Sequence, residues 1–154
     1  MTKPVLVLGV GNVLLSDEGV GVHVVRRLQS MELPPDVEAI DGGTAGYELI
    51  EFLAGRKRVI IVDCIRADGP EGSIICATPD QLDLRWAAPS SVHQLGLSEL
   101  LYHARLLESP PEILIVGIIP KTPLEAGTEV SESLIPVLDV AVSKVLQLAS
   151  EWGS

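Results

Sequence analysis

The stretch PVLVLGVGNVLLSDEGVG, residues 4–21, decides the fold predicted for this chain. It opens with a continuous apolar run, Val5 to Val10, which is rich in β-branched residues and has no polar alternation. Such a run is typical of a strand that is covered on both faces of a parallel sheet. Gly9 and Gly11 then allow a tight turn that a Cβ atom would obstruct, and Asn12 tolerates left-handed backbone geometry. The sequence therefore predicts a buried first strand that ends in a sharp turn.

A helix is predicted directly after this turn. Ser16 or Asp17 can serve as its N-cap. Its inward stripe consists of apolar residues at helical spacing, namely Val20, Val24 and Leu28. Glu18 therefore falls in the first helical turn, just beyond the carboxyl end of the first strand. Open α/β sheets bind their ligands at this position.

Length and composition indicate a single domain over residues 1–154. Hydrophobic residues make up 47% of the chain but aromatic residues only 3%, so Val, Leu, Ile and Ala must fill the core. That composition is typical of interior parallel strands covered by helices. The formal net charge of −10 argues against a nucleic-acid partner, because binding to phosphates depends on Lys and Arg.

The location of the protein is expected to be cytoplasmic. The N-terminus shows no basic region followed by a cleavable apolar stretch, and no apolar run is expected to reach the roughly 18 residues of a membrane span. Cys64 and Cys76 lack CxxC spacing and lie in apolar runs, so both are interpreted as reduced packing residues. We expect a monomer without membrane insertion.

Strand-like and helix-like segments alternate along the rest of the chain. The order β-α-β-α-β-β-α-β-α predicts a three-layer α/β sandwich with a mostly parallel sheet and helices on both faces. The later strands are predicted at residues 37–40, 58–64, 72–77 and 113–119, and the later helices at about residues 44–53, 93–108 and 133–151.

Four polar residues follow strands or begin helices, which would place them at one edge of the sheet: Glu18, Asp41, Asp63 and His93. Two or three carboxylates with one imidazole suit a divalent metal ion such as Ni²⁺, Zn²⁺ or Cd²⁺. Three protein ligands would leave coordination positions open for water or for groups of a substrate.

Each of these residues also fits a structural role. Glu18 can complement the helix dipole, which is worth roughly 0.3–1 kcal/mol. Asp41, before two glycines, suits a turn, and His93 suits the start of a helix. Asp63 follows buried apolar residues, where a carboxylate is costly unless it is paired or bound to a metal. Function is therefore favoured most strongly at Asp63.

Other motifs give weaker signals. The segment GVGNVL resembles a dinucleotide fingerprint, but Leu14 replaces the third glycine of GxGxxG. The chain has no P-loop lysine motif, no GxSxG elbow and no HExxH motif. His23 and His103 lie in helices beside polar residues and are interpreted as exposed helical histidines.

Five blocks together resemble one known family. GVGNVLLSDEGVGVHVV, DGGTAGYEL, VIIVDCIRA, HQLGLSELL and VGIIP occur in this order and cover nearly the whole chain. They look like the [NiFe]-hydrogenase maturation endopeptidases. The resemblance implies a cytoplasmic protease that removes a short C-terminal extension from the precursor of a hydrogenase large subunit once nickel has been inserted. It also implies a twisted five-stranded sheet with one antiparallel strand, assigned here to residues 73–77.

The same resemblance implies roles for single residues. The metal-contacting positions of the family fall on Glu18, Asp63 and His93, and the aspartate of DGG, Asp41, matches a position that the family needs for activity. Cys64 stands where a small residue such as alanine is common, which leaves any role of its thiol open.

The mechanism predicted from this resemblance uses nickel that arrives on the precursor, ligated by its cysteines; zinc or cadmium could replace it in a crystal. Asp41 and Asp63 are the candidate catalytic carboxylates, and whether the peptidase is of the metallo or aspartic type stays open. Two alternatives are a nucleotide-binding module and a non-catalytic nickel-handling accessory protein.

Overall fold

The computed structural model describes residues 2–44, 48–82, 92–121, 124 and 126–153, with side chains described at all of these except 92–96 and 153. Strands and helices alternate as predicted. Their bounds are β1 Val5–Val10, α1 Val20–Gln29, β2 Val37–Gly43, α2 Leu49–Leu53, β3 Arg58–Cys64, β4 Ile74–Ala77, α3 Val92–Ala104, β5 Glu112–Ile118 and α4 Ile135–Gly153. Short 3-10 helices, Ser16–Gly19 and Glu132–Leu134, precede α1 and α4.

Within the described ranges, five strands form one sheet in the order β2-β1-β3-β5-β4. β1 pairs in parallel with β2 and β3, and β3 pairs in parallel with β5. β4 is antiparallel to β5, with Ile74 opposite Ile118 and Ala77 opposite Ile115. The predicted mostly parallel sheet with one antiparallel strand is therefore confirmed. Several bounds differ from the prediction: β2 continues past Asp41 to Gly43, β4 begins at Ile74, β5 is shifted by one residue, and α2 and α3 are shorter than predicted.

The two central strands are almost completely buried. All six residues of β1 are buried, as are the last six residues of β3. Their sequences lack polar alternation because helices cover both faces of the sheet at this point. Burying one Leu, Ile or Val side chain contributes roughly 1.5–3 kcal/mol, so these two strands anchor the fold.

Alternate side chains of the strands enter two separate cores, one on each face of the sheet. On the first face, Val7 and Val62 pack with α1 and α4. On the second face, Leu8 and Ile61 pack with α2 and α3. The three-layer sandwich predicted from the sequence is confirmed.

The C-terminal helix corrects one expectation. Glu132–Trp152 is long and apolar enough to cross a membrane by length and composition, with a mean hydropathy of 1.4, although no apolar run of this length was expected. Its side chains Leu138, Ala141 and Val145 are buried in the core with α1. A core helix of a globular domain meets the same criterion, because one of its faces must be apolar.

The first turn of α1 lies directly against the backbone of the two central strands. A Cβ atom on Gly21 would stand 2.1 Å from the carbonyl oxygen of Val62 and 2.7 Å from that of Val10. Both distances are far below ordinary van der Waals contact. Gly21 therefore permits the close approach that brings the start of α1 to the carboxyl ends of β1 and β3.

We expect Gly21→Ala to lower the free energy of unfolding in urea by at least about 1–3 kcal/mol, because the added methyl group must displace a strand or the helix. The direction is opposite to helix propensity, which favours Ala over Gly by about 1 kcal/mol. Gly127→Ala is the matched control, since a Cβ there would meet no atom within 4 Å. Equal urea midpoints for the wild type and Gly21→Ala would contradict the close-packing argument.

Candidate active site

The turn after β1 brings Glu18 over the carboxyl edge of the sheet. Gly11 has a φ of +138°, and a Cβ atom on it would lie 2.2 Å from the carbonyl oxygen of Glu18. Its N–H donates a hydrogen bond of 2.9 Å to the carbonyl oxygen of Gly43 at the end of β2. Glycine is required at this position by both its backbone angle and its surroundings. The 3-10 helix that carries Glu18 is therefore folded back onto the strand ends.

A segment near residue 127 holds this 3-10 helix in place from outside. The Gly127 N–H donates to the carbonyl oxygen of Leu14 at 2.9 Å, and the Ser16 N–H donates to that of Gly127 at 2.8 Å. The Ser16 hydroxyl also donates to the carbonyl oxygen of Glu129 at 2.9 Å. The loop after β5 and the loop after β1 thus form one hydrogen-bonded unit.

Asp17 joins the same two loops from inside the protein. Its carboxylate accepts hydrogen bonds from the Ser131 N–H at 2.6 Å, the Ser131 hydroxyl at 2.7 Å and the Lys121 N–H at 2.9 Å. The predicted N-cap role of Ser16 or Asp17 is wrong, because neither the 3-10 helix nor α1 has a side-chain cap hydrogen bond. Sequence reasoning missed the observed role because the partners of Asp17 lie more than 100 positions away.

We expect Asp17→Ala to lower the free energy of unfolding by at least about 1.5–3 kcal/mol, the range for one hydrogen bond to a charged group. Amide exchange at Lys121 and Ser131 should accelerate, since both N–H groups lose their acceptor. Asp139→Ala is the control, because the side chain of Asp139 is 79% exposed. Unchanged exchange at both amides would show that Asp17 does not hold the loop.

Besides Asp17, two further carboxylates are buried at this edge of the sheet. Glu18 is 2% exposed and Asp63 is 0% exposed. Asp63 Oδ1 accepts a hydrogen bond of 2.7 Å from the N–H of Cys64. Alternation along β3 directs Asp63 to the face that α2 and α3 cover, the face of Val59 and Ile61. Both carboxylates lie at the edge where open α/β sheets bind their ligands, which makes this edge the candidate functional site.

The thiol of Cys64 is buried at the end of β3, next to Asp63 in the chain. Burial raises its pKa most strongly, and the charges of Asp63 and then Glu18 raise it further, while Arg66 acts in the opposite direction. Cys64 points to the opposite face from Asp63 and packs in the core with α1 and α4. The thiol is therefore protonated and enclosed, which excludes it as a nucleophile in the folded protein.

Cys76 differs from the prediction that both cysteines are packing residues, because it is exposed on the edge strand β4. We expect a thiol reagent to modify one cysteine per native chain, Cys76, and to modify Cys64 only after unfolding. Partial burial raises the pKa of Cys76, so its modification rate should keep rising as the pH is increased through the ordinary thiol range. Mass spectrometry of the labelled native protein, with Cys76→Ser as control, tests this; labelling of Cys64 in the native state would contradict it.

Asp41 reaches the predicted edge but lies on the other face of the sheet. In the sheet, Asp41 of β2 pairs with Gly9 of β1, and Gly9 pairs with Val62 of β3. Its Oδ2 accepts a hydrogen bond of 3.2 Å from Nε of Arg26 on α1, and its Oδ1 accepts one of 3.1 Å from the N–H of Gly43. The side chain is 30% exposed, so Asp41 is accessible to water while Glu18 and Asp63 are enclosed.

His93 is the second residue of α3, and its side chain lies outside the described residues. The helix packs on the same face as Asp63. Its end lines a cleft with Pro110 and Ile113, at the amino edge of the sheet, so its first turn lies toward the carboxyl edge. Among the described residues no group of three His, Cys, Asp or Glu forms a metal site. The three-ligand set of Glu18, Asp63 and His93 stays a prediction.

The other two histidines have separate environments. His23 is partly buried, contrary to the expectation of an exposed residue. Burial and the nearby charge of Arg26 lower its pKa, against a backbone hydrogen bond at Thr128 that raises it. His103 makes an edge-to-face ring contact with Tyr102, with centroids 5.3 Å apart. Neither histidine lies on the strand ends that carry the buried carboxylates.

Comparison with known proteins decides the family. Residues 22–148 match the model of HycI, described as hydrogenase maturation protease. The chain belongs to the hydrogenase maturation protease family. Hydrogenase 2 maturation protease of Escherichia coli K12 is 37% identical over an alignment of 153 residues that covers 97% of this chain and 92% of that protein. The hydrogenase expression/formation protein HupD of Rhodobacter capsulatus is 30% identical over 97% of this chain and 72% of its own length.

Solved structures of hydrogenase maturation proteases share this fold. The hydrogenase maturating endopeptidase HybD from Escherichia coli has a TM-score of 0.87 and 34% identity, covering 98% of this chain and 94% of its own. The hydrogenase 2 maturation peptidase from Thaumarchaeota archaeon SCGC_AB-539-E09 has a TM-score of 0.72 and 36% identity, covering 95% of this chain and 97% of its own. The family resemblance seen in the sequence is confirmed.

As a hydrogenase maturation protease, the chain is a peptidase, and the two alternative functions are set aside. The acidic first turn also argues against a nucleotide-binding module. Asp17 and Glu18 occupy the residues before α1, where a dinucleotide site needs uncharged backbone N–H groups that face a pyrophosphate.

Proposed function

We propose that this peptidase removes the C-terminal extension of a [NiFe]-hydrogenase large-subunit precursor, and that nickel carried by the precursor is part of what it recognises. The observation that supports this most directly is the pair of buried carboxylates, Glu18 and Asp63, at the carboxyl edge of a protease-family fold. A precursor without nickel lacks the positive charge that such a pair attracts.

The chemistry of the donors suits nickel as part of the substrate. Carboxylate oxygens from Glu18 and Asp63 and an imidazole from His93 form a hard-to-borderline ligand set, which suits Ni²⁺ or Zn²⁺. Ligands supplied by the precursor would complete the coordination of its own metal. The protease would then hold a loaded precursor by a shared ion and bind an unloaded precursor weakly.

The elements that carry these carboxylates are rigid, which favours a preorganised site. Glu18 lies between Asp17, with its three hydrogen bonds to the loop after β5, and Gly21, which packs on the strands. Asp63 lies in the buried part of β3 and accepts a backbone hydrogen bond. Little reorganisation is needed when substrate arrives, so binding free energy goes into positioning the scissile peptide.

Peptide cleavage requires addition of water to the scissile carbonyl and transfer of a proton to the departing amine. Asp41 and Asp63 are both candidates to orient or deprotonate this water. The carboxylate of Asp41 is accessible to solvent and bonded to Arg26, whereas that of Asp63 is enclosed. The metallo and aspartic classes both stay compatible with this pair.

Nickel-gated recognition predicts that the protease cleaves the nickel-loaded precursor and leaves the nickel-free precursor intact. Mass spectrometry of the large subunit measures the loss of the extension under matched conditions. Cadmium- or zinc-loaded precursor provides a further comparison. Equal processing of loaded and unloaded precursor would rule out recognition through the metal.

We expect Glu18→Gln, Asp63→Asn and His93→Ala each to lower processing of the loaded precursor by at least about 10–100-fold, the usual cost of disturbing a metal site. Asp41→Asn tests the solvent-accessible carboxylate separately. Asp139→Asn is the surface control, and circular dichroism checks that each variant is folded. Full activity of both Asp63→Asn and His93→Ala would refute the site assignment.

A further inference from the structure

A cleft of about 390 Å³ lies at the carboxyl edge of the sheet, beside the proposed site. Its charged lining residues are Arg66, Glu71 and Lys121, and Ile119 and Pro120 provide an apolar wall. We infer that this cleft binds a carboxylate of the C-terminal extension and thereby positions the extension for cleavage. This inference rests on the proposed function and names the part of the substrate that the cleft recognises.

The cleft is connected to both elements that carry the buried carboxylates. Arg66 follows Asp63 by three residues, directly after β3. On the other side, the N–H of Lys121 donates to the carboxylate of Asp17, the residue before Glu18. A peptide bound across Glu18 and Asp63 would therefore have its neighbouring residues within reach of this cleft.

The cations in the cleft stand out in a protein with a net charge of −10. Five other arginines are paired with acids within this chain: Arg26, Arg27, Arg56, Arg58 and Arg105. Among the described residues, no ion pair involves Arg66 or Lys121. Their charge is therefore available to a ligand rather than to an internal partner.

Arg66 also carries an unused donor. Its Nε is buried and has no hydrogen-bond partner among the described residues. Because this buried donor has no acceptor there, the guanidinium is not fully compensated by the described part of the chain, in which no acceptor at Nε competes with a ligand of the cleft. Glu71, the acid in the cleft lining, does not bond this donor; its carboxylate accepts a hydrogen bond of 3.1 Å from the hydroxyl of Ser133.

A carboxylate is the ligand that this arrangement fits. A guanidinium recognises carboxylates through paired N–H donors, and a lysine ammonium adds a point charge. The cleft lies within the usual range of about 300–1,000 Å³ for small-ligand sites, which suits the end of a peptide. In a C-terminal extension the carboxylate is either the terminal α-carboxylate or an Asp or Glu side chain.

The test compares processing of the nickel-loaded precursor by the wild type and by Arg66→Gln/Lys121→Gln. We expect KM to rise about tenfold, as for the loss of one charged contact, while kcat changes less than about twofold because the reacting groups are untouched. The control, Lys57→Gln/Arg105→Gln, removes the same charge from residues that line clefts at the opposite edge of the sheet. It should leave KM unchanged.

Changes in the precursor identify the source of the carboxylate. A precursor with an amidated C-terminus tests the terminal group, and one with Asp and Glu of the extension replaced by Asn and Gln tests the side chains. With the wild-type protease, one of these two precursor changes should raise KM about tenfold. With Arg66→Gln/Lys121→Gln, the same precursor change should not raise KM further, because the contact that it removes is already lost. If Asp or Glu side chains of the extension supply the carboxylate, a precursor with Lys at those positions should restore activity to the charge-reversed variant Arg66→Glu/Lys121→Glu.

The outcomes separate this inference from the proposed function. If the wild type does not process the loaded precursor, the proposed function fails. If the wild type processes it and the double variant has the same KM, the inference about the cleft fails while the proposed function stands. Insensitivity of the wild type to both changes in the precursor would also overturn the inference.

Discussion

The close contact between the start of α1 and the ends of the central strands is the constraint on which the site depends. Gly21 touches the carbonyl oxygens of Val62 and Val10, and Gly11 lies under the backbone of Glu18. A side chain at either glycine would push the acidic 3-10 helix away from the sheet. Because both contacts are with backbone atoms, a change of rotamer cannot relieve such a clash. The contact keeps Glu18 near the end of β3, where Asp63 lies.

The buried carboxylates have different surroundings, which indicates that they have different roles. Asp17 is satisfied by three hydrogen bonds and serves the structure. Asp63 accepts a backbone hydrogen bond near the end of β3, and Glu18 lies at the same edge of the sheet, in the 3-10 helix after β1. Two adjacent residues of one segment therefore have different roles: Asp17 anchors the loop after β5, and Glu18 takes part in the proposed recognition. A cation delivered by the substrate would be attracted to this negatively charged arrangement.

The charges around the proposed site would orient the bound precursor. The carboxylates of Glu18 and Asp63 would attract a metal-loaded centre, while Arg66 and Lys121 would hold the negatively charged end of the extension. Opposite charges on neighbouring surfaces orient a substrate more effectively than a uniform charge does. Asp41, on the other face of the sheet and paired with Arg26, remains the solvent-accessible carboxylate of this edge.

The sequence by itself determined the layers, the parallel sheet and the bounds of β1 and β3, because buried parallel strands leave continuous apolar runs and amphipathic helices leave a period of 3.6 residues. It also determined the family, since five ordered motifs cover nearly the whole chain. Only the tertiary structure decided that Asp17 anchors a distant loop, that Asp41 faces away from Asp63 and that Cys76 is exposed. These features depend on contacts between residues that are more than 100 positions apart in the chain, or on the face of the sheet to which a side chain at the end of a strand points. Local sequence carries no information about such contacts, because the packing of the whole chain establishes them.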